Sequence, residues 1–76
     1  MDKKDVLRKF IAEKTLKSTK QREIIADIFF NITVHISLDE LLSKVRRRSP
    51  KVGYATVYRT MKLLVECGLA AERHFG

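Results

Sequence analysis

Residues 53–69 read GYATVYRTMKLLVECGL, and the direction in which this stretch faces decides the fold. Placed at about 100° per residue, Tyr54, Val57, Met61, Leu64 and Val65 gather on one side of a helix. Ala55, Arg59, Lys62 and Glu66 fall opposite, with Thr56 and Tyr58 on the two shoulders. Gly68 with apolar Leu69 beyond it has the pattern of a left-handed C-terminal cap, which sets the helix at about 54–67. Leu63 points toward the outer side and needs a cover, for which a terminal strand is the candidate. The outward face thus opens with small residues and then presents Tyr58 and Arg59. Small residues allow close approach to a surface, and an arginine fork reads guanine edges or grips phosphate. A tyrosine offers a ring for a thymine methyl and a hydroxyl for a phosphate, and a helix N-terminus itself attracts phosphate. Together these suit a recognition helix in the major groove of DNA. The competing reading is a solvated helix face.

Upstream, three more helices can be read. Ser37-Leu-Asp-Glu40 is an S-x-x-E capping box with acids in the first turn, leading into Leu38, Leu41, Leu42 and Val45. Lys44, Arg46, Arg47 and Arg48 crowd the last turn, where cations suit the helix dipole. Phosphate contact explains the three arginines equally well. Ser49-Pro50 ends this helix, because the residue before proline disfavours the α conformation. A second helix follows residues 18–21, where Ser18 and Gln21 have capping-box spacing and Ile24, Ile25, Ile28 and Phe29 form an apolar face. The first spans roughly Lys3 to Lys14, with Val6, Leu7, Phe10 and Ile11 on one side. Residues 70–75, AAERHF, are read as a strand, although alanine and glutamate are poor strand formers.

The bulk properties narrow the function. Sixteen basic residues against nine acidic ones give +7 in a chain of 76, so nucleic acid or an anionic membrane is the natural partner. No run approaches the ~20 apolar residues of a membrane span, and the N-terminus lacks a secretory pattern. The single cysteine, Cys67, makes no internal disulfide and no CxxC pair exists, as expected of a cytoplasmic protein. No phosphate-cradling glycine loop, Ser/His or Cys/His constellation, or two-histidine metal motif is present, so no enzyme is expected. The fold class is therefore mainly α, a winged helix-turn-helix of about four helices with an incomplete C-terminal β wing. The third and fourth helices form the pair, and residues 49–53 are the turn.

Three motifs resemble the ferric uptake regulator family of bacterial metal-dependent repressors. LeuLysSerThrLysGlnArg at 16–22 is similar to its LKxTxQR segment. His35-Ile-Ser37 followed by Asp39-Glu40-Leu41 resembles its HxSxDEL. GlyTyrAlaThrValTyrArgThr at 53–60 resembles its G-x-ATVYRT recognition helix. Thr15 stands where a glycine commonly precedes LK, and Met61 where leucine is usual. The resemblance spans essentially the whole chain but only the family's DNA-binding half, so residues 1–76 are expected to be one winged-helix domain without the dimerisation and metal-sensing domain.

The resemblance implies roles residue by residue. Tyr58 and Arg59 would contact bases and phosphates in the major groove of AT-rich inverted-repeat operators. Lys17 would reach the minor groove, whose potential is strongly negative where AT tracts narrow it. Thr19, Arg22 and Thr56 would position the domain on the backbone. His35 would be one ligand of an inter-domain metal site or an oxidation target, where the residues alone describe a loop histidine. No cofactor is expected for these residues themselves, and a divalent metal (iron, zinc or manganese) for the full-length protein. Full-length partners would be double-stranded DNA and a second copy, with strand pairing between copies possible at 70–75. His74 is read as structural or exposed, and Cys67 as a partly buried thiol. The alternative function is a winged-helix interaction module that grips an acidic protein.

Overall fold

The computed structural model describes residues 2–14 and 20–72, which form four helices. Helix α1, Lys3–Glu13, starts at Asp2, whose backbone is extended and whose Oδ1 accepts the Lys4 N–H at 3.1 Å. Its Leu7 and Ile11, one turn apart, are buried. Helix α2, Lys20–Phe30, buries Ile25, Ala26 and Phe29. The Asn31 amide donates to the Asp27 carbonyl at 2.8 Å and so satisfies one of the last acceptors of that helix. Ser18, half of the capping box expected there, lies outside the described residues.

Helix α3, Leu38–Arg48, begins as its sequence dictates. The Ser37 hydroxyl accepts the Glu40 N–H at 3.1 Å, and the Glu40 carboxylate accepts the Ser37 N–H at 3.2 Å. The Ser37 backbone N–H, and after it the Ser37 hydroxyl, hold the Glu40 carboxyl below its ordinary value. Leu41 and Val45 are fully buried. Ser49 is extended (φ −140°, ψ 83°) ahead of Pro50. In the turn that follows, Val52 is fully buried, and its carbonyl accepts the Arg46 Nε–H at 2.8 Å.

Helix α4, Tyr54–Glu66, packs on both α2 and α3; those two also touch, and α1 lies against α2. Its end is a Schellman motif. The Leu69 N–H reaches the Leu64 carbonyl (2.9 Å), and the Gly68 N–H reaches that of Val65 (3.1 Å). Gly68 takes the left-handed conformation (φ 81°) that the motif requires. The radius of gyration, 11.4 Å, is close to the ~11 Å expected for a compact chain of this length.

Two readings of α4 need correction, and both have one cause. Tyr54, assigned to the inner side, is 47% exposed, whereas Leu63, assigned to the outer side, is 9% exposed. Because α4 packs between two helices, its buried arc runs from Leu63 through Thr60, Leu64 and Val57 to Met61. That arc is turned away from Tyr54 and leaves Val65 half-buried. Thr60 tolerates full burial because its hydroxyl donates to the Thr56 carbonyl at 2.8 Å.

The terminal strand is also corrected where it can be seen. No strand occurs among the described residues, and Ala70 and Ala71 are irregular. The Ala70 N–H is turned back onto the Leu64 carbonyl at 3.2 Å, so it belongs to the helix cap and not to a sheet ladder. Residues 73–75 of the expected strand lie outside the described residues.

Candidate nucleic-acid interface

The rotation of α4 puts two tyrosines on one outer face. Tyr54 and Tyr58, four residues apart and therefore neighbours on a helix, are 47% and 44% exposed. With Ala55 and Arg59 they line a shallow hollow. Ala55 adds little bulk between them. The Lys62 ammonium stands 6.0 Å from the centre of the Tyr58 ring, and its side chain reaches Glu72 at 3.8 Å. Tyr58 and Arg59 are thus solvent-accessible on the face expected of them. Tyr54 joins them, and its spacing from Tyr58 was the signal for it.

Across from that face stands the start of α2. Gln21, Arg22, Thr56 and Arg59 line a small cleft of about 180 Å³. Three residues expected to act together, Arg22, Thr56 and Arg59, therefore meet although they lie on two helices. Gln21 was not expected as a site residue; its amide adds a donor and an acceptor to the same cleft. Lys17 and Thr19 lie outside the described residues.

The electrostatics of this face come from what is missing as much as from what is present. Residues 41–65 contain no aspartate or glutamate. Among the described residues no carboxylate lines either hollow, so no acid side chain of these walls competes with a phosphate for Arg59. The arginine run at the end of α3 divides by role. Arg46 is tied to the Val52 carbonyl, and Arg48 donates to Asp27 at 2.8 Å. Arg47 is exposed. Asp27 also holds Lys4 at 2.8 Å, and the hydrogen bonds from Lys4 and Arg48 keep its carboxyl below the ordinary value of 3.8.

His35 stands apart from these hollows. It is exposed in the loop between α2 and α3 and edges a cavity of about 250 Å³ walled by Phe29, Phe30, Ile32, Val34 and Leu69. Among the described residues no second His, Cys, Asp or Glu lines that cavity, and no group of three such side chains could hold a metal. By themselves these residues do not fit a metal centre. Cys67 is half-buried, its Sγ 3.6 Å from the Leu64 carbonyl. His74 lies outside the described residues.

Residues 13–76 match the ferric uptake regulator family. The chain belongs to that family. It is 34% identical over 73 residues to the ferric uptake regulation protein of Bacillus subtilis, covering 95% of this chain and 49% of that protein. The Campylobacter jejuni ferric uptake regulation protein is 34% identical over 71 residues, 91% of this chain and 45% of its own length. A zinc uptake regulation protein of Mycobacterium tuberculosis is 34% identical over 59 residues, 78% of this chain and 45% of that protein. The chain therefore spans about half the length of the curated relatives it matches. The buried Met61, which departs from the usual leucine of the family motif, is fully enclosed, as an unbranched side chain of similar volume should be.

Proposed function

We propose that this chain is the DNA-reading part of a bacterial transcriptional repressor in metal homeostasis. The single observation that carries the reading is the outer face of α4. Tyr54, Ala55, Tyr58 and Arg59 are exposed together there, in a segment free of acids, and Arg22 and Thr56 meet Arg59 in the adjoining cleft. In this reading α3, the turn at 49–53 and α4 are the helix-turn-helix of a winged-helix domain. Helix α4 lies in the major groove of an AT-rich inverted repeat, with Tyr58 and Arg59 on base edges and Arg22 and Thr56 on the backbone. Thr19 serves the backbone as well, and Lys17 enters the neighbouring minor groove. The remainder of the full-length protein supplies dimerisation in the cytoplasm. It also supplies the other donors for a divalent metal, to which His35 contributes one.

The test is fluorescence anisotropy with a labelled AT-rich inverted repeat and a scrambled duplex, each across a salt series, beside Arg59→Ala. A bidentate arginine–base contact is worth about 1–3 kcal/mol of discrimination. The wild-type chain should prefer the repeat, and Arg59→Ala should erase the preference while leaving helix content unchanged. Equal, purely salt-driven binding of both duplexes that ignores Arg59 would refute the reading. A basic face also suits an acidic protein, the second reading; tighter binding to a polyglutamate peptide than to either duplex would favour it.

A further inference from the structure

A second basic cleft lies beside the first, and nothing above uses it. Lys20, Gln21 and Ile24 from α2 face Arg48, Ser49, Pro50 and Lys51 from the end of α3 and the turn, around about 460 Å³ of open space. No carboxylate is among its lining residues. Lys20 and Lys51 are exposed, and Arg48 keeps 54% of its side chain exposed while giving one N–H to Asp27. Four of the five guanidinium N–H groups of Arg48 are thus not spent on Asp27.

The hollows on this side share residues. Gln21 lines both this cleft and the one with Arg22, Thr56 and Arg59. Arg59 lines both that cleft and the hollow with Tyr54 and Tyr58. Three hollows therefore join end to end through Gln21 and Arg59, and each has at least one cation and no acid on its wall. A discontinuous basic surface would serve isolated anions. A joined track of this kind fits a repeating anion, with charges at regular intervals along one chain.

We infer that the cleft of Lys20, Arg48 and Lys51 is a phosphodiester-binding subsite that extends the DNA backbone track past the recognition helix, holding the strand by charge and not by sequence. The inference rests on the DNA reading above and adds to it a division of labour. Residues at the α4 end of the track select sequence, and those at the α2 and turn end contribute affinity that every duplex feels equally.

The experiment is the same anisotropy titration with the double variant Lys20→Ala/Lys51→Ala, on both duplexes, with a melting curve to confirm an unchanged fold. Each phosphate neutralised adds about −0.9 to the slope of log affinity against log salt. The double variant should lose about 1.8 of that slope on the repeat and on the scrambled duplex alike, with the ratio of the two affinities unchanged. An unaltered slope would overturn the subsite, and so would a collapsed ratio, since base reading and not backbone contact would then be at stake. Loss of polyglutamate binding with the DNA slope intact would assign the cleft to an acidic protein and overturn it equally. If the wild-type chain binds neither duplex, the DNA reading itself falls; if it binds and the variant matches it, only the subsite falls.

Discussion

Residues 41–65 hold seven of the sixteen basic residues and none of the nine acidic ones, whereas the rest of the chain holds nine of each. The neutral remainder pairs its charges. Lys4 meets Asp27 at 2.8 Å, Arg8 meets Glu23 at 2.7 Å, and Lys14 meets Glu66 at 3.6 Å. Within residues 41–65, Arg48 and Lys62 have acid partners among the described residues, and each borrows it from outside, from Asp27 and Glu72. A formal charge equal to the molecule's whole net charge of +7 is therefore carried by residues 41–65, which run from within α3 through the turn into α4. Exposed ion pairs contribute little to stability, so the paired region is electrostatically quiet. A run of seven cations with no acid among them instead adds self-repulsion, and that repulsion has to be offset by the apolar core beneath. Under the proposed DNA reading, the difference separates a region shaped for folding from one shaped for an anionic partner.

Both regions stand on one core, and the largest effect comes from breaking it. Leu41 is fully buried on the inner side of α3, the helix that carries the start of the cationic run. Leu41→Ala should cost about 2–5 kcal/mol, against a total of roughly 4–11 kcal/mol for a domain of this size. Urea denaturation followed by circular dichroism measures it. Duplex binding should fall with the unfolding midpoint, since the two regions share the packing. A loss under ~1 kcal/mol would mean that the site repacks and that the two regions are less closely tied than the shared core implies.

A smaller effect is expected at the element where the two charge regimes meet. Helix α3 starts with Asp39 and Glu40 and ends with Arg46, Arg47 and Arg48, the order its dipole favours. Ser37→Ala removes the hydroxyl that accepts the Glu40 N–H and should cost about 1 kcal/mol, read from the same denaturation curve. The affinity ratio between repeat and scrambled duplex should not move, because the cap lies at the far end of α3 from the turn. A changed ratio would show that the acidic start of α3 reaches the recognition face, and the comparison would lose its boundary.

What the sequence reveals of this molecule follows the range of the forces involved. The Ser37–Glu40 box, the stop at Ser49-Pro50 and the Gly68 cap are all legible, since each is a contact between residues fewer than six apart. The four helices follow from their periodicity, with ends within a few residues of expectation. The rotation of α4 is not legible. A wheel gives the angle between residues, but the core direction depends on α2 and α3, and only their packing reveals that Leu63 turns inward and Tyr54 outward. The meeting of Arg22 with Arg59 is likewise a property of packing, reached through the family motifs and not through spacing. The acid-free run from 41 to 65 is plain in the sequence. It is easily overlooked because net charge is summed over the chain, and a sum hides position.

The smallest effect is the most specific, because among the described residues Asp27 spans both regions. It accepts from Lys4 on α1 and from Arg48 within the cationic run, each at 2.8 Å. The hydrogen bond from Lys4, then that from Arg48, holds its carboxyl below the ordinary value of 3.8, so the folded chain binds that proton less tightly than the unfolded chain does. Stability from this group is therefore fully present above the ordinary value and is lost as pH falls through the lower folded value. Asp27→Asn does not titrate. At neutral pH it should be less stable by up to about 1 kcal/mol, and the gap to the wild type should close as pH falls through the region below 3.8. Denaturation midpoints of both proteins between neutral and strongly acidic pH measure that gap. A gap that stays constant to the lowest pH would mean that Asp27 acts through shape and not charge. Asp27→Asn also tests the boundary from the other side, because it frees Arg48 without removing a cation. Duplex binding should be retained or slightly strengthened at low salt while stability drops, and only a region whose cations await an external anion would respond in those opposite directions.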